Sequence, residues 1–243
     1  MEWVIESTCD KVQYDKVMFV PFSVSEPPMR NMAGTPPSIT KTVLAFCDSI
    51  KHGSKPVYLP IQPDPGCAVR ECFNNVRQKV KREGGRIQFG WELNQWPGVY
   101  IEGEHHAVYE GPNGPPWLDI TPPPSDTPQQ TRLFLPDESA AYDFGDPDFR
   151  RDNIRKALAT DPLIDEYLGL AAELVAIMQR TPGTGMVTVE GADAQRLQII
   201  ARRSSEVKRQ IAMKYTAWDD RCFCGPEKFK RCHGSPQNRS AQG

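Results

Sequence analysis

Two groups of residues in this chain have types and spacings that can do chemistry. Near the carboxyl end, Cys222 and Cys224 are followed, after seven intervening residues, by Cys232 and His233. Three thiolates and one imidazole are a common ligand set for a closed, tetrahedral structural zinc site. Gly225 and Pro226 permit the tight turn between the two ligand pairs, and Lys228, Lys230 and Arg231 stand beside a site of net negative charge. A tail too short to bury a core of its own needs such a staple. Loss of zinc is therefore expected to unfold residues 220–234 and to leave the main domain intact. The second group is Cys72, His106 and Asp119. In that chain order they suit a thiol nucleophile, its general base and the acid that orients the base.

The elements that must position this second group can be read from periodicity. Val69, Cys72, Phe73, Val76 and Val80 fall on one helical stripe, and Gly84 with Gly85 supplies a stop, so Cys72 sits in the first turns of a predicted helix. A helix amino terminus and a neighbouring imidazolium both favour thiolate over thiol. Ile87, Phe89, Trp91 and Leu93 then alternate with Arg86, Gln88, Gly90 and Glu92, the period of a strand with one buried face. Further strands are predicted at 99–101, 104–109 and 117–121, with turn chemistry at 111–114. A four-residue loop over 111–114 would pair Glu110 with Pro115 and set His106 directly opposite Asp119. Pro115 and Pro116 cannot donate to a ladder, so pairing is more readily begun at Trp117 opposite Glu110, which leaves His106 and Asp119 diagonal, roughly 7 Å apart; either register keeps them on one face. Cys67 and His105 are the alternative nucleophile and base. The apolar stripe favours Cys72, and strand parity turns His105 to the opposite face.

Around this block, residues 17–22 form an apolar stretch followed by a Pro-rich loop. Ser38 can cap a helix through Val43, Phe46, Cys47 and Ile50 that ends at Gly53, and 57–61 reads as a short strand. Residues 122–149 are rich in Pro, Asp and Ser and read as a long connection or lid, with a short strand at 133–135. Two helical stripes follow. One runs through Ile154, Leu158, Tyr167, Leu168, Ala171, Leu174, Val175 and Met178, with a break near Pro162. The other runs from a cap at Asp193 through Leu197, Ile200, Val207, Ile211 and Trp218. The expected organisation is an α+β core over 1–149, an antiparallel meander packed on helices, then a helical segment over 150–218, a zinc knuckle over 219–234 and a disordered tail over 235–243.

Composition bounds the function. With 39% hydrophobic and 25% charged residues among 243, the chain is an ordinary globular protein. A net charge of −2 gives no global reason to expect nucleic acid or an acidic membrane surface, and Lys228, Lys230 and Arg231 alone make a small patch. No apolar run is long enough to span a bilayer, and the amino terminus lacks a signal-peptide pattern, so the expected location is the cytoplasm. Seven cysteines without a regular framework point to thiols, a metal site and a nucleophile rather than disulfides.

The tail CFCGPEKFKRCHG resembles the SEC-C motif, known from the carboxy-terminal tail of the preprotein translocase motor and from many bacterial proteins. The resemblance covers about thirteen residues and departs from the usual pattern in having seven rather than eight residues between Cys224 and Cys232. It implies zinc binding and docking of a chaperone or client protein, with a passive fold staple as the other reading. The block ECFNNV, GGRIQFGWEL, YIEGEHHAVYE and WLDITP, over about residues 71–122, resembles a group of bacterial proteins of uncertain function that often carry a SEC-C tail. More distantly its order is similar to the papain-like and transglutaminase-like cysteine enzymes. That resemblance implies a core of that type, with Cys72 as nucleophile, His106 as base and Asp119 as orienting acid. The implied function is a cysteine hydrolase or transferase, whether protease, deamidase or transglutaminase-like, attacking protein amide or peptide carbonyls. The Cys72 backbone N–H, with Gln62 as a second donor, would hold the oxyanion, and Trp91, Trp96 and Trp117 are candidates to line a cleft. The alternative function is a non-catalytic adaptor that recruits a chaperone or client through the knuckle.

Overall fold

The structure is a computed structural model of the chain, and it describes residues 3–7, 29, 32–124, 130–183 and 185–235. The 17–22 stretch, Cys9 and the residues after Ser235 lie outside the described residues. Chain order runs β1 (Trp3–Ser7), α1 (Lys41–Ile50), β2 (Val57–Pro60), α2 (Cys72–Glu83), β3 (Arg86–Trp96), β4 (Tyr100–Gly111) and β5 (Gly114–Leu118). It continues with β6 (Thr131–Pro136), β7 (Ile154–Ala157), α3 (Pro162–Arg180), β8 (Gly185–Val189) and α4 (Gly191–Tyr215). The protein is α+β, built on a six-stranded antiparallel sheet and four helices among the described residues.

The sheet is not the expected simple meander. Its order is β2-β6-β3-β4-β5, with β7 paired to the start of β4, so β6 enters between β2 and β3. The short strand expected at 133–135 runs over 131–136 and is an interior strand of the sheet, with Leu133, Phe134 and Leu135 fully buried. Past β2, Ile61 makes a parallel bridge with Asp119, and the Gln62 N–H donates to the Asp119 carbonyl at 2.7 Å. The two edges of the sheet thus meet, and the sheet curls round an inward face.

Residues on β3 are buried on both faces, unlike the single buried face that alternation predicts: Trp91 and Leu93 on one side, Gln88 and Glu92 on the other. The outward side is covered by α1, whose Val43, Phe46 and Cys47 pack on Trp91, Leu93, Ile101, Leu133 and Leu135. It is also covered by α2, whose Phe73 and Val76 pack on Ala107, Tyr109 and Ile120. The α1 cap is Thr40, which accepts the Val43 N–H at 3.3 Å, rather than Ser38. α2 stops at Gly84, which adopts a positive φ of 75° and returns its N–H to the Val80 carbonyl. Val69 lies before α2 and is exposed.

Downstream, Ile154 lies in β7 rather than in a helix, so the sheet draws a strand from beyond residue 149. α3 begins only at Pro162, with Asp161 accepting the Leu163 N–H at 3.0 Å, because proline suits a first helical turn and breaks an interior one. β8 was not expected, and it pairs with β1 from the other end of the chain. α4 starts at Gly191 and ends at Tyr215, leaving Trp218 beyond it and exposed. No described helix is long and apolar enough to cross a membrane.

Candidate functional site

Cys72, His106 and Asp119 come from three elements that meet at one place. β4 places His106 opposite Gly90 of β3. The β4–β5 ladder pairs Glu110 with Trp117 and ends at Tyr109 opposite Leu118, after which Asp119 leaves β4 to bridge Ile61. The start of α2, with Cys72 as its first residue, packs at this parting of the strands. His106 Nε2 and Asp119 Oδ2 are 3.0 Å apart. The Cys72 sulfur is near enough to the same ring to raise the imidazole's pKa. All three side chains are 0% exposed.

Electrostatics couple the three. Burial opposes charge on His106, but the Asp119 carboxylate and the Cys72 sulfur outweigh it and push the imidazole up to about 9. Burial likewise opposes the Asp119 anion, yet the charges of His106 and Arg132 hold its carboxyl below the ordinary range. Asp119 Oδ1 also accepts the Thr121 N–H at 2.9 Å. The other ring nitrogen of His106, Nδ1, is buried with no hydrogen-bond partner, and Glu92 Oε2 stands 4.0 Å from it.

Two charged neighbours were not among the sequence candidates. Arg132, on β6, ion-pairs with Asp119 through Nε and with Glu92 of β3 through Nη1, and both it and Glu92 are buried. Arg132 was missed because it lies one residue before the short strand expected at 133–135, in a stretch read as a connection. Glu92 was placed on the solvent side of an alternating strand. A buried arginine between two carboxylates fixes their geometry, since its planar donors admit few orientations.

The alternative residues occupy different surroundings. His105 faces outward, donating from Nε2 to the Ala140 carbonyl at 2.5 Å and packing between the rings of Phe73 and Trp91. Cys67 is half-buried in the loop before α2, and burial and the charge of Asp64 push its thiol up. The side chain of Gln62 is exposed, while its backbone is tied to Asp119. The three tryptophans share no cleft. Trp91 donates to Asp137 Oδ2 at 3.0 Å under α1, Trp96 packs among the helices, and Trp117 stands edge-on to Phe134.

The second group also converges. The ligand atoms of Cys222, Cys224, Cys232 and His233 all lie within 4.8 Å of one another. Cys222 Sγ to His233 Nδ1 is 3.3 Å, Cys232 Sγ to His233 Nδ1 is 3.4 Å, and Cys224 Sγ is 3.6 Å from Cys222 Sγ and 3.3 Å from Cys232 Sγ. A tetrahedron with metal–sulfur bonds of about 2.3 Å has edges of about 3.7 Å, so the cluster can hold a metal such as zinc. The backbone shapes it: Cys222 donates its N–H to the Glu227 carbonyl at 2.6 Å, and a 3₁₀ turn over Phe229–Arg231 delivers Cys232 and His233. Although burial opposes it, the N–H groups of Cys224 and His233 bring the Cys222 thiol down to about 6. Burial and the neighbouring sulfurs push Cys224 up to about 12. A metal cation would favour the thiolate at each of the three cysteines and the neutral imidazole at His233.

The knuckle is not a separate tail. Cys222, Phe223 and Phe229 are buried in one cluster with Trp96, Val99 and Tyr100 of the β3–β4 hairpin, Ile164 and Tyr167 of α3, and Val207 and Ile211 of α4. The picture of a staple on a segment without a core is thereby corrected, because these residues extend the core of the body. Lys228 and Lys230 both pair with Asp219, which reduces the basic patch further. The six cysteines among the described residues form no disulfide with one another. No family model matches the chain, and no curated protein or solved structure matches it either.

Proposed function

We propose that the protein is a cysteine-dependent enzyme acting on protein amides or peptide bonds, a hydrolase or acyl transferase, with Cys72 as nucleophile and a structural zinc ion at the knuckle. One observation carries the reading: a single buried imidazole, His106, is bound to Asp119 on one side, approached by the Cys72 sulfur, and pushed up to about 9. Such an imidazole is cationic at neutral pH and favours the thiolate of Cys72. The thiolate attacks the carbonyl carbon, and the displaced electron pair forms an oxyanion beside the N–H groups at the start of α2. His106 then gives its proton to the departing nitrogen as the C–N bond breaks, leaving an acyl thioester on Cys72. Water or an amine releases the acyl group. Asp119 orients the imidazole, and Arg132 keeps Asp119 ionised and in place.

The test is the ultraviolet absorbance of the thiolate, taken as the difference between the zinc-loaded protein and its Cys72→Ser variant. A thiolate signal at pH 7 that disappears in His106→Ala supports the enzyme. No signal in the parent, or a signal indifferent to residue 106, overturns it. The complete burial of the three side chains favours a second reading, in which they are an inert polar core and the chain serves as an adaptor for a chaperone or client protein. Absence of the thiolate decides for that reading. At the knuckle, inward packing of Phe223 and Phe229 supports a structural role for zinc over docking.

A further inference from the structure

The start of α2 lacks the features that ordinarily hold a helix terminus. Glu71, its cap, makes no side-chain capping bond, and the first turn carries no acidic residue. Just before it, Arg70 adopts a φ of 68°, a left-handed conformation that strains a non-glycine residue. Such a segment keeps one geometry only where its surroundings over-determine it. The loop before it is bonded to the strand end through the Gln62 and Asp64 N–H groups, and a side chain adds to this from the helix itself: Asn75, one turn after Cys72 and 6% exposed. Its Oδ1 accepts the Ala68 N–H at 3.1 Å, and its Nδ2 donates to the Ala68 carbonyl at 2.8 Å and to Thr121 Oγ1 at 3.2 Å. Thr121 in turn donates its N–H to Asp119 Oδ1 at 2.9 Å. One amide side chain therefore ties the turn before Cys72 to the strand end that carries Asp119.

We propose that Asn75, acting through Thr121, is the positioning residue that holds the Cys72 helix in register with the His106–Asp119 pair. The inference rests on the catalytic reading of those three residues. Neither residue touches the His106 ring or the sulfur in the contacts above; their role is to fix the distance between two elements whose tied residues lie 46 positions apart in the chain. A sulfur that drifts from the imidazole loses both the hydrogen bond and the charge that stabilise its anion.

The experiment titrates the Cys72 thiolate by the same difference absorbance in the zinc-loaded full chain. Variants are Asn75→Ala, Asn75→Asp, Thr121→Val and Thr121→Ser, with His106→Ala as reference. Asn75→Ala and Thr121→Val should lower the thiolate fraction at pH 7 at least about tenfold and move its titration toward the value of the His106→Ala protein, about one pH unit for each tenfold. Asn75→Asp, which keeps an acceptor but loses both donor bonds, should behave like Asn75→Ala. Thr121→Ser keeps the hydroxyl and should titrate as the parent does. Adding His106→Ala to Asn75→Ala should then change the thiolate little, since its influence is already lost. If the parent thiolate depends on His106 but folded Asn75→Ala and Thr121→Val titrate like the parent, the positioning role is overturned and the catalytic reading stands. Should Asn75→Ala fail to fold, Thr121→Val against Thr121→Ser decides by the same criterion. A parent thiolate indifferent to His106 overturns the catalytic reading itself, and the positioning role with it.

Discussion

His106 is the residue on which charge, stability and chemistry converge. Its folded pKa of about 9 lies above its ordinary 6.5, so the sign of the linkage is fixed. The stability it contributes is fully present below pH 6.5 and is lost as pH rises through about 9. That window is worth about 3 kcal/mol at most. Urea midpoints of the parent and His106→Ala proteins, compared from pH 6 to pH 10, should therefore converge as the parent loses its advantage on the alkaline side. A difference that stays flat across that range would show that His106 is neutral in the folded protein. His105, its neighbour in sequence, shows how strongly parity governs such a residue. One step along β4 exchanges an interior carboxylate for a backbone carbonyl and two aromatic rings.

At the scale of the element, β3 is the hinge of the site because it has a neighbour on each side. Gly90 faces His106 across β4 and lies beside Pro136 of β6. A Cβ there would come within 2.2 Å of the Leu135 carbonyl oxygen and 2.6 Å of the Phe134 ring. A backbone oxygen in a central ladder cannot retreat as a flexible side chain can. Gly90→Ala should accordingly destabilise the protein by about 2 kcal/mol or more and displace β6, with Arg132 on it. Chemical denaturation measures the loss. An alanine variant as stable as the parent would mean that β6 does not sit against β3 as described. The helices obey local rules more closely, since the first turn of α3 follows from Asp161 and Pro162 and the stop of α2 from Gly84.

At the scale of the whole molecule, the knuckle is joined to the helices and to the far end of the β3–β4 hairpin through one apolar cluster. Zinc removal should therefore loosen α3 and α4 as well as residues 220–234. Hydrogen exchange on the chelated protein should show faster exchange at Val207 and Ile211 of α4 while α1, packed in a different cluster, keeps its protection. Loss of protection confined to residues 220–234 would restore the picture of an independent tail. Cys232→Ala should give the same pattern without chelator, with reduced zinc content by elemental analysis. β1 adds a second long-range tie, pairing with β8 beside the cluster formed by Leu174, Ile177, Leu197 and Ile200.

The sequence by itself determined the residue types and the local periods: the Cys3His set, a helix with Cys72 in its first turn, the strand that carries His106 and turns His105 away from it, and the Trp117–Glu110 register. These are legible because metal ligation, helix stripes and strand parity depend on neighbours close in the chain. Asp119, expected on the paired strand diagonal to His106, instead lies past the end of β5 and bridges Ile61. Only the tertiary structure decided that β6 enters between β2 and β3, that β7 joins the sheet from beyond residue 149, and that the knuckle belongs to the main core. It also brought Arg132 and Glu92 to Asp119, and Asn75 to Thr121. Strand order and the pairing of buried charges depend on which distant segments exclude water together, and no local period records that choice.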